Sequence, residues 1–241
     1  MGNSIFRTSA HKLGRFVKAF VGLLLAPLVI GLLLGILHQL ETLFVGPKSF
    51  ADWASAGAVG YVGVHLFLYQ PEPLFRVQHL LLSRVSLWLF GGQVSTVDPP
   101  KSGGKKGGQA SAKDKAGGAK DSTLLALSPY LVPLYPILIC VAFWVSKRWV
   151  ALWPVEAAAA VLIGATAMFH WVMTAHDMQQ HRERFPIDAY LLALAIIGVV
   201  STLVISVCLP LAAEFSLPGL FADALATAAG IYTAVFRTLF F

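Results

Sequence analysis

The sequence predicts an all-α polytopic integral membrane protein with about five to six transmembrane or re-entrant helices. Three observations predict it. The 241 residues are 57% hydrophobic and only 12% charged, half the roughly 25% charged share of soluble domains. Mean hydropathy is +0.72. Apolar runs approaching the roughly 20 residues that cross a hydrocarbon core recur along the chain, joined by polar connections.

Charge narrows the partners. There are 18 Lys+Arg against 12 Asp+Glu, a net charge of +6. The cations gather at the chain start, in one Lys-rich loop and in short connections. That pattern fits topology signals and anionic headgroups. The lipid bilayer is therefore the expected partner, and nucleic acid is not. Cys140 and Cys208 both lie in apolar runs and read as small buried hydrophobes rather than a disulfide.

Four regions follow in order. Residues 1–15 are a basic N-terminus. Arg7, Lys12, Arg15 and Lys18 place it in the cytoplasm by the positive-inside rule. Residues 16–94 hold the N-terminal membrane helices. The first span, Phe16 to Leu40, reads as an uncleaved signal-anchor. Its Gly22, Gly31 and Gly35 would let another helix approach closely, and Pro27 is a potential kink. Residues 41–53 read as a polar connection carrying Glu41, Lys48 and Asp52. Ala54 to Tyr69 is apolar but short for a span. Gln70-Pro71-Glu72-Pro73 is a turn, and Leu74 to Phe90 is a helix stopped by Gly91-Gly92.

Residues 95–123 are low in complexity and rich in Gly, Lys, Ala and Ser, the composition of a flexible solvated loop. Residues 124–241 hold the C-terminal membrane helices. Leu124 to Val145 is expected as one span carrying Pro129, Pro133 and Pro136. Such breaks free backbone carbonyls, which must then pack on protein or line a cavity. The next span runs from Val150 to about Val172, with Glu156 in a first turn where the helix dipole favours an anion. Asp188 to Ala212 follows, ended by Pro210, and Leu217 to Phe241 is a last span or an interfacial helix. If every run crosses, the Lys-rich loop falls on the outer side, against the positive-inside rule. One of the runs 54–69 and 74–90 is therefore expected to be incomplete or re-entrant.

Polar groups inside apolar runs are costly and mark candidate contacts. His65 is expected as a bundle-facing hydrogen-bond partner. Arg84 calls for a cavity, a partner protein or a carboxylate, with Glu72 and Glu156 as candidate mates. His170 with Thr174, and His176 with Gln180, are i,i+4 pairs able to bond locally.

Several fragments together resemble the site-2-protease family of membrane zinc metallopeptidases, in its bacterial polytopic form. They are Leu68-Tyr69-Gln70-Pro71-Glu72, His79, Phe90-Gly91-Gly92-Gln93-Val94, Ser128-Pro129-Tyr130, Pro133-Leu134-Tyr135, Gly164-Ala165-Thr166, Phe169-His170 and His176. The similarity runs from about Tyr61 to Gln180. It implies a site-2-protease-like core and a bacterial inner membrane. The family's His-Glu-x-x-His motif puts two zinc ligands on one helix face, with the Glu activating the bound water. Here the matching stretch is His79-Leu80-Leu81-Leu82-Ser83. Leu80 has no proton to exchange and Ser83 is a poor zinc ligand.

The expectation is a non-catalytic pseudoprotease: a membrane scaffold or accessory subunit working with other membrane protein subunits. No catalytic residue and no cofactor are expected. Were a zinc site rebuilt, His79, His170 and His176 would be its ligands, although His170 and His176 lie about 240° apart around a helix. A metal-free transporter or channel subunit is the first alternative, suggested by the Pro-broken span and the intramembrane His and Arg residues. A divergent membrane zinc metallopeptidase is the second.

Overall fold

The computed structural model describes residues 2–67, 71–89, 123–149, 153–180 and 187–241. Helix α1 (Gly2–Glu41) leads into a hairpin of β1 (Phe44–Val45) and β2 (Lys48–Ser49). Then come α2 (Phe50–Phe67), α3 (Glu72–Leu89), α4 (Thr123–Leu131), α5 (Leu134–Ser146), α6 (Trp153–Gln180), α7 (Ile187–Ala212) and α8 (Leu217–Phe240). Four helices among the described residues are long and apolar enough to cross a membrane: Leu13–Glu41, Pro154–Gln180, Ala189–Ala212 and Leu217–Phe240. The described residues are thus all-α apart from one short hairpin, as the sequence predicts.

Helix α1 starts at Gly2, so the basic segment ahead of the first span is helical too, and the helix stays continuous through Pro27. The expected polar connection over 41–53 is more ordered than its composition suggests. Phe44 pairs with Ser49 and Val45 with Lys48, around a turn in which Gly46 takes a φ of 66°. A two-residue hairpin turn needs that left-handed residue. The hairpin delivers Ser49 as a helix cap. The Asp52 backbone N–H donates to Ser49 Oγ (3.1 Å), and the Ser49 N–H donates to Asp52 Oδ2 (3.0 Å), a reciprocal capping box. The Ser49 hydroxyl and then its backbone N–H hold the Asp52 carboxyl below the usual carboxylate range. This cap therefore acts fully above that range and weakens as acid protonates Asp52.

Close helix contacts set the frame. A Cβ on Gly57 would land on the Val161 carbonyl, and one on Gly164 on the Ala54 carbonyl. Helices α2 and α6 therefore meet backbone to backbone, the approach that small residues allow between membrane helices. Helix α1 uses glycine on two faces. Gly22 faces the Leu191–Leu192 backbone of α7, while Gly31 faces Ala224 and Gly35 faces Leu220 on α8. Helix α8 buries Leu220, Ala224 and Ala228, a stripe at four-residue spacing.

Two spans differ from their expected limits. Leu124 to Val145 is not one span but two helices, α4 and α5, parted at Val132-Pro133. The three prolines remove successive donors and forbid a continuous ladder. Helix α7 ends at Ala212 as expected, passing through Pro210 on the way, because a proline deletes a single rung that a packed membrane helix tolerates. Helix α6 continues past Val172 to Gln180.

Helices α2 and α6 run parallel, with Gly57 against Val161, Tyr61 against Phe169, and His65 near His176. After α2 the chain returns: Pro71 and Leu74 line a groove with Ala165, Thr166 and Phe169. Helix α3 then leaves beside α4. Leu127 of α4 packs on Met178 and Ala193, at the end of the bundle away from the hairpin. Residues 90–122, which hold most of the expected Lys-rich loop, lie outside the described residues.

We expect Gly164→Val to push α2 from α6 and to cost about 1–3 kcal/mol by overpacking. Gly60 and Gly63, whose added Cβ would meet open space, are the controls. Gly60→Ala should be neutral or stabilising, since alanine is the better helix former. Unfolding midpoints in detergent measure both.

Candidate functional site

The Pro break creates the site. In a continuous helix the Tyr130 carbonyl would accept from Leu134 N–H, and the Val132 carbonyl from position 136. Position 136 is proline and has no N–H, and Leu134 opens a new helix. Two backbone acceptors are left inside the bundle, where each unmet group is costly.

Two side chains answer them. His170 Nε2 donates to the Tyr130 carbonyl at 3.1 Å. Gln78 Nε2 donates to the Val132 carbonyl at 3.3 Å and to His170 Nδ1 at 2.9 Å. His170 is 0% exposed and Gln78 1%. The arrangement fixes the imidazole as the neutral Nε2–H tautomer, with one nitrogen donating and the other accepting. This clip joins α3, the α4–α5 break and α6.

Around it lies an aromatic layer. The His79 ring stands edge-on to Tyr130 with centroids 4.9 Å apart, and Phe75 packs on both His79 and Phe169. Tyr61 and Tyr135 also meet Phe169 edge-on. The Tyr130 hydroxyl donates to Asp177, and the Tyr135 hydroxyl donates to the Leu74 carbonyl at 2.8 Å. Two buried polar atoms, Gln78 Oε1 and Thr174 Oγ1, have no hydrogen-bond partner among the described residues.

The structure sorts the residues singled out by sequence. His79 and His170 come together through Tyr130. His176 does not join them: Gln180 lies 2.9 Å from its Nε2, and its ring neighbours His65. Among the described residues no set of three His, Cys, Asp or Glu side chains gathers as a metal site. His65 sits 3.4 Å from the Tyr61 hydroxyl. Arg84 is exposed on α3. Its expected mate Glu72 is instead bound to Arg76 at 3.0 Å, since the i,i+4 spacing on α3 favours that pair. Glu156 lies in the first turn of α6, where the dipole reading put it. Of the two local pairs expected on α6, His176–Gln180 forms and His170–Thr174 does not, because His170 is drawn to the freed Tyr130 carbonyl.

Gln78 was not among the candidates from sequence. Its signal was one amide within an apolar helix next to His79, opposite a span with missing donors. Gln78→Leu keeps the volume but orphans His170 Nδ1 and the Val132 carbonyl. We expect a loss of about 1–3 kcal/mol for each orphaned group, read as a lowered unfolding midpoint. Thr174→Val, which removes an unpartnered hydroxyl, should be neutral or stabilising.

Compared with known protein families, with curated proteins and with solved structures, the chain matches none.

Proposed function

We propose that the chain is a non-catalytic membrane scaffold or accessory subunit of a membrane protein complex, with a site-2-protease-like arrangement of its central motifs. One observation carries this reading: the position that the resemblance assigns to the catalytic Glu holds Leu80, which is 62% exposed and turned out of the bundle. Its neighbourhood supports the same view. Both ring nitrogens of His170 are committed to internal hydrogen bonds, so that imidazole works as a structural clip. The clip also closes off the carbonyls that a transport path along the broken helix would use, which weighs against the transporter alternative.

The outer surface suits a lipid or subunit environment. Helix α8 turns Phe221, Leu225, Val235, Phe236 and Leu239 outward, and α1 does the same with Phe16, Phe20 and Leu23. Helices apolar on their outer faces are at home in hydrocarbon. We place the basic start of α1 in the cytoplasm of a bacterial inner membrane. In this proposal α3 is the re-entrant element, so that the end of α3 and the start of α4, which flank the Lys-rich segment, lie on that same side, in keeping with the positive-inside rule.

Two experiments test the proposal. With a membrane-embedded model substrate in detergent, wild type and His79→Ala should show the same background cleavage. Cleavage by wild type that disappears in His79→Ala would sink the non-catalytic reading. For the orientation, single cysteines are placed in a cysteine-free background at Asn3, Lys106 and Lys48 and labelled with an impermeant maleimide in whole cells. Asn3→Cys and Lys106→Cys should stay unlabelled until the membrane is opened, and Lys48→Cys should react at once. Opposite behaviour of Asn3→Cys and Lys106→Cys would overturn the re-entrant arrangement.

A further inference from the structure

A second group of polar side chains lies apart from the clip, where α2 and α6 end. His65 is in the last turn of α2, and His176 is one turn before the end of α6. Both are half-buried. Their ring centroids are 6.4 Å apart, with planes at 78°. The backbone contact of α2 with α6 at Gly57 and Gly164 holds the two helices that carry them.

Each ring has one nitrogen engaged and one spare. His65 Nδ1 is 3.4 Å from the Tyr61 hydroxyl, and His176 Nε2 is 2.9 Å from the Gln180 amide. His65 Nε2 and His176 Nδ1 have no hydrogen-bond partner among the described residues. Metal-ligating histidines commonly give their other ring N–H to an oxygen, which fixes tautomer and orientation. The Tyr61 hydroxyl oxygen stands in that position for His65. A half-turn of the Gln180 amide brings Oε1 to it for His176.

We propose that His65 Nε2 and His176 Nδ1 together bind one divalent transition-metal ion of the zinc class, with water completing its shell. Imidazole nitrogen suits this class. Zinc–nitrogen bonds are about 2.0–2.1 Å, so two imidazoles on one ion have centroids roughly 5 to 6 Å apart. The present centroid separation of 6.4 Å lies just beyond that range. No carboxylate need join the ligand set, and the open positions make the ion exchangeable. Its effect is to tie the end of α2 to α6 beyond their glycine contact. The site is separate from His79, whose ring packs on Tyr130 and Phe75, and the inference goes beyond the scaffold reading.

The test uses the full chain, purified in detergent without a polyhistidine tag, stripped with chelator and titrated with zinc chloride. Wild type should take up about one zinc ion at a two-histidine site and show a raised unfolding midpoint. His65→Gln and His176→Gln should each abolish that uptake and that rise. Their zinc-free midpoints and circular dichroism, matching those of wild type, certify that they fold. Gln180→Ala should weaken binding by about tenfold or more, and His79→Ala should leave it unchanged. Absence of uptake by wild type, or uptake undiminished in both glutamine variants, would overturn the proposal. Uptake lost only in His79→Ala would overturn it too, and would count against the non-catalytic reading as well.

Discussion

The structure depends on two backbone carbonyls that have lost their helix partners. Prolines at 133 and 136 end one ladder and delay the next, leaving the Tyr130 and Val132 oxygens exposed to the bundle interior. An unmet peptide group in hydrocarbon costs several kcal/mol, comparable to a large part of a protein's net stability. The chain meets both with side chains from helices far away in sequence. Because one amide and one imidazole also bond to each other, three segments are fixed by a single small network. Such networks are worth most when every member is satisfied, and here Gln78 Oε1 is left without a partner among the described residues.

Packing does the remaining work. Between helices in lipid there is little hydrophobic driving force, and association rests on dispersion and close approach. Glycine supplies that approach at Gly57 and Gly164 between α2 and α6, and at Gly22 and Gly31 along α1. The first of these contacts brings the ends of α2 and α6 near each other, and with them His65 and His176. A sequence built for tight helix crossing thereby places two imidazoles side by side.

Much of this is legible in the sequence, and the rest is not for physical reasons. The membrane class, the helical content and the glycine face of α1 follow from composition and spacing, which are local properties. The broken span was visible in its prolines, since the loss of an N–H donor is written in the residue type. What answers the break was hidden. Nothing local says that His170 bonds across the bundle to residue 130 rather than to Thr174 one turn on. Glu72 illustrates the same limit in reverse: a local partner, Arg76, took the carboxylate that a distant arginine seemed to need. The hairpin over Phe44–Ser49 is not legible in the sequence because two paired residues per strand leave no periodicity, only a Gly-Pro turn.

The pairing of α1 with α7 and α8 has a consequence for how the molecule is made. The Tyr232 hydroxyl donates to the Leu24 carbonyl across 208 residues of chain, and the glycines of α1 meet backbone from the same distant helices. Contacts between remote parts of a chain form late and slowly. During synthesis α1 therefore resides in the membrane with its small-residue faces bare, while the five helices α2 to α6 emerge. It is a placeholder, open to other helices with similar grooves until its own partners arrive. Ribosomes that stall before α7 would leave behind a sticky fragment, which makes this stretch of translation the moment at which quality control has most to watch.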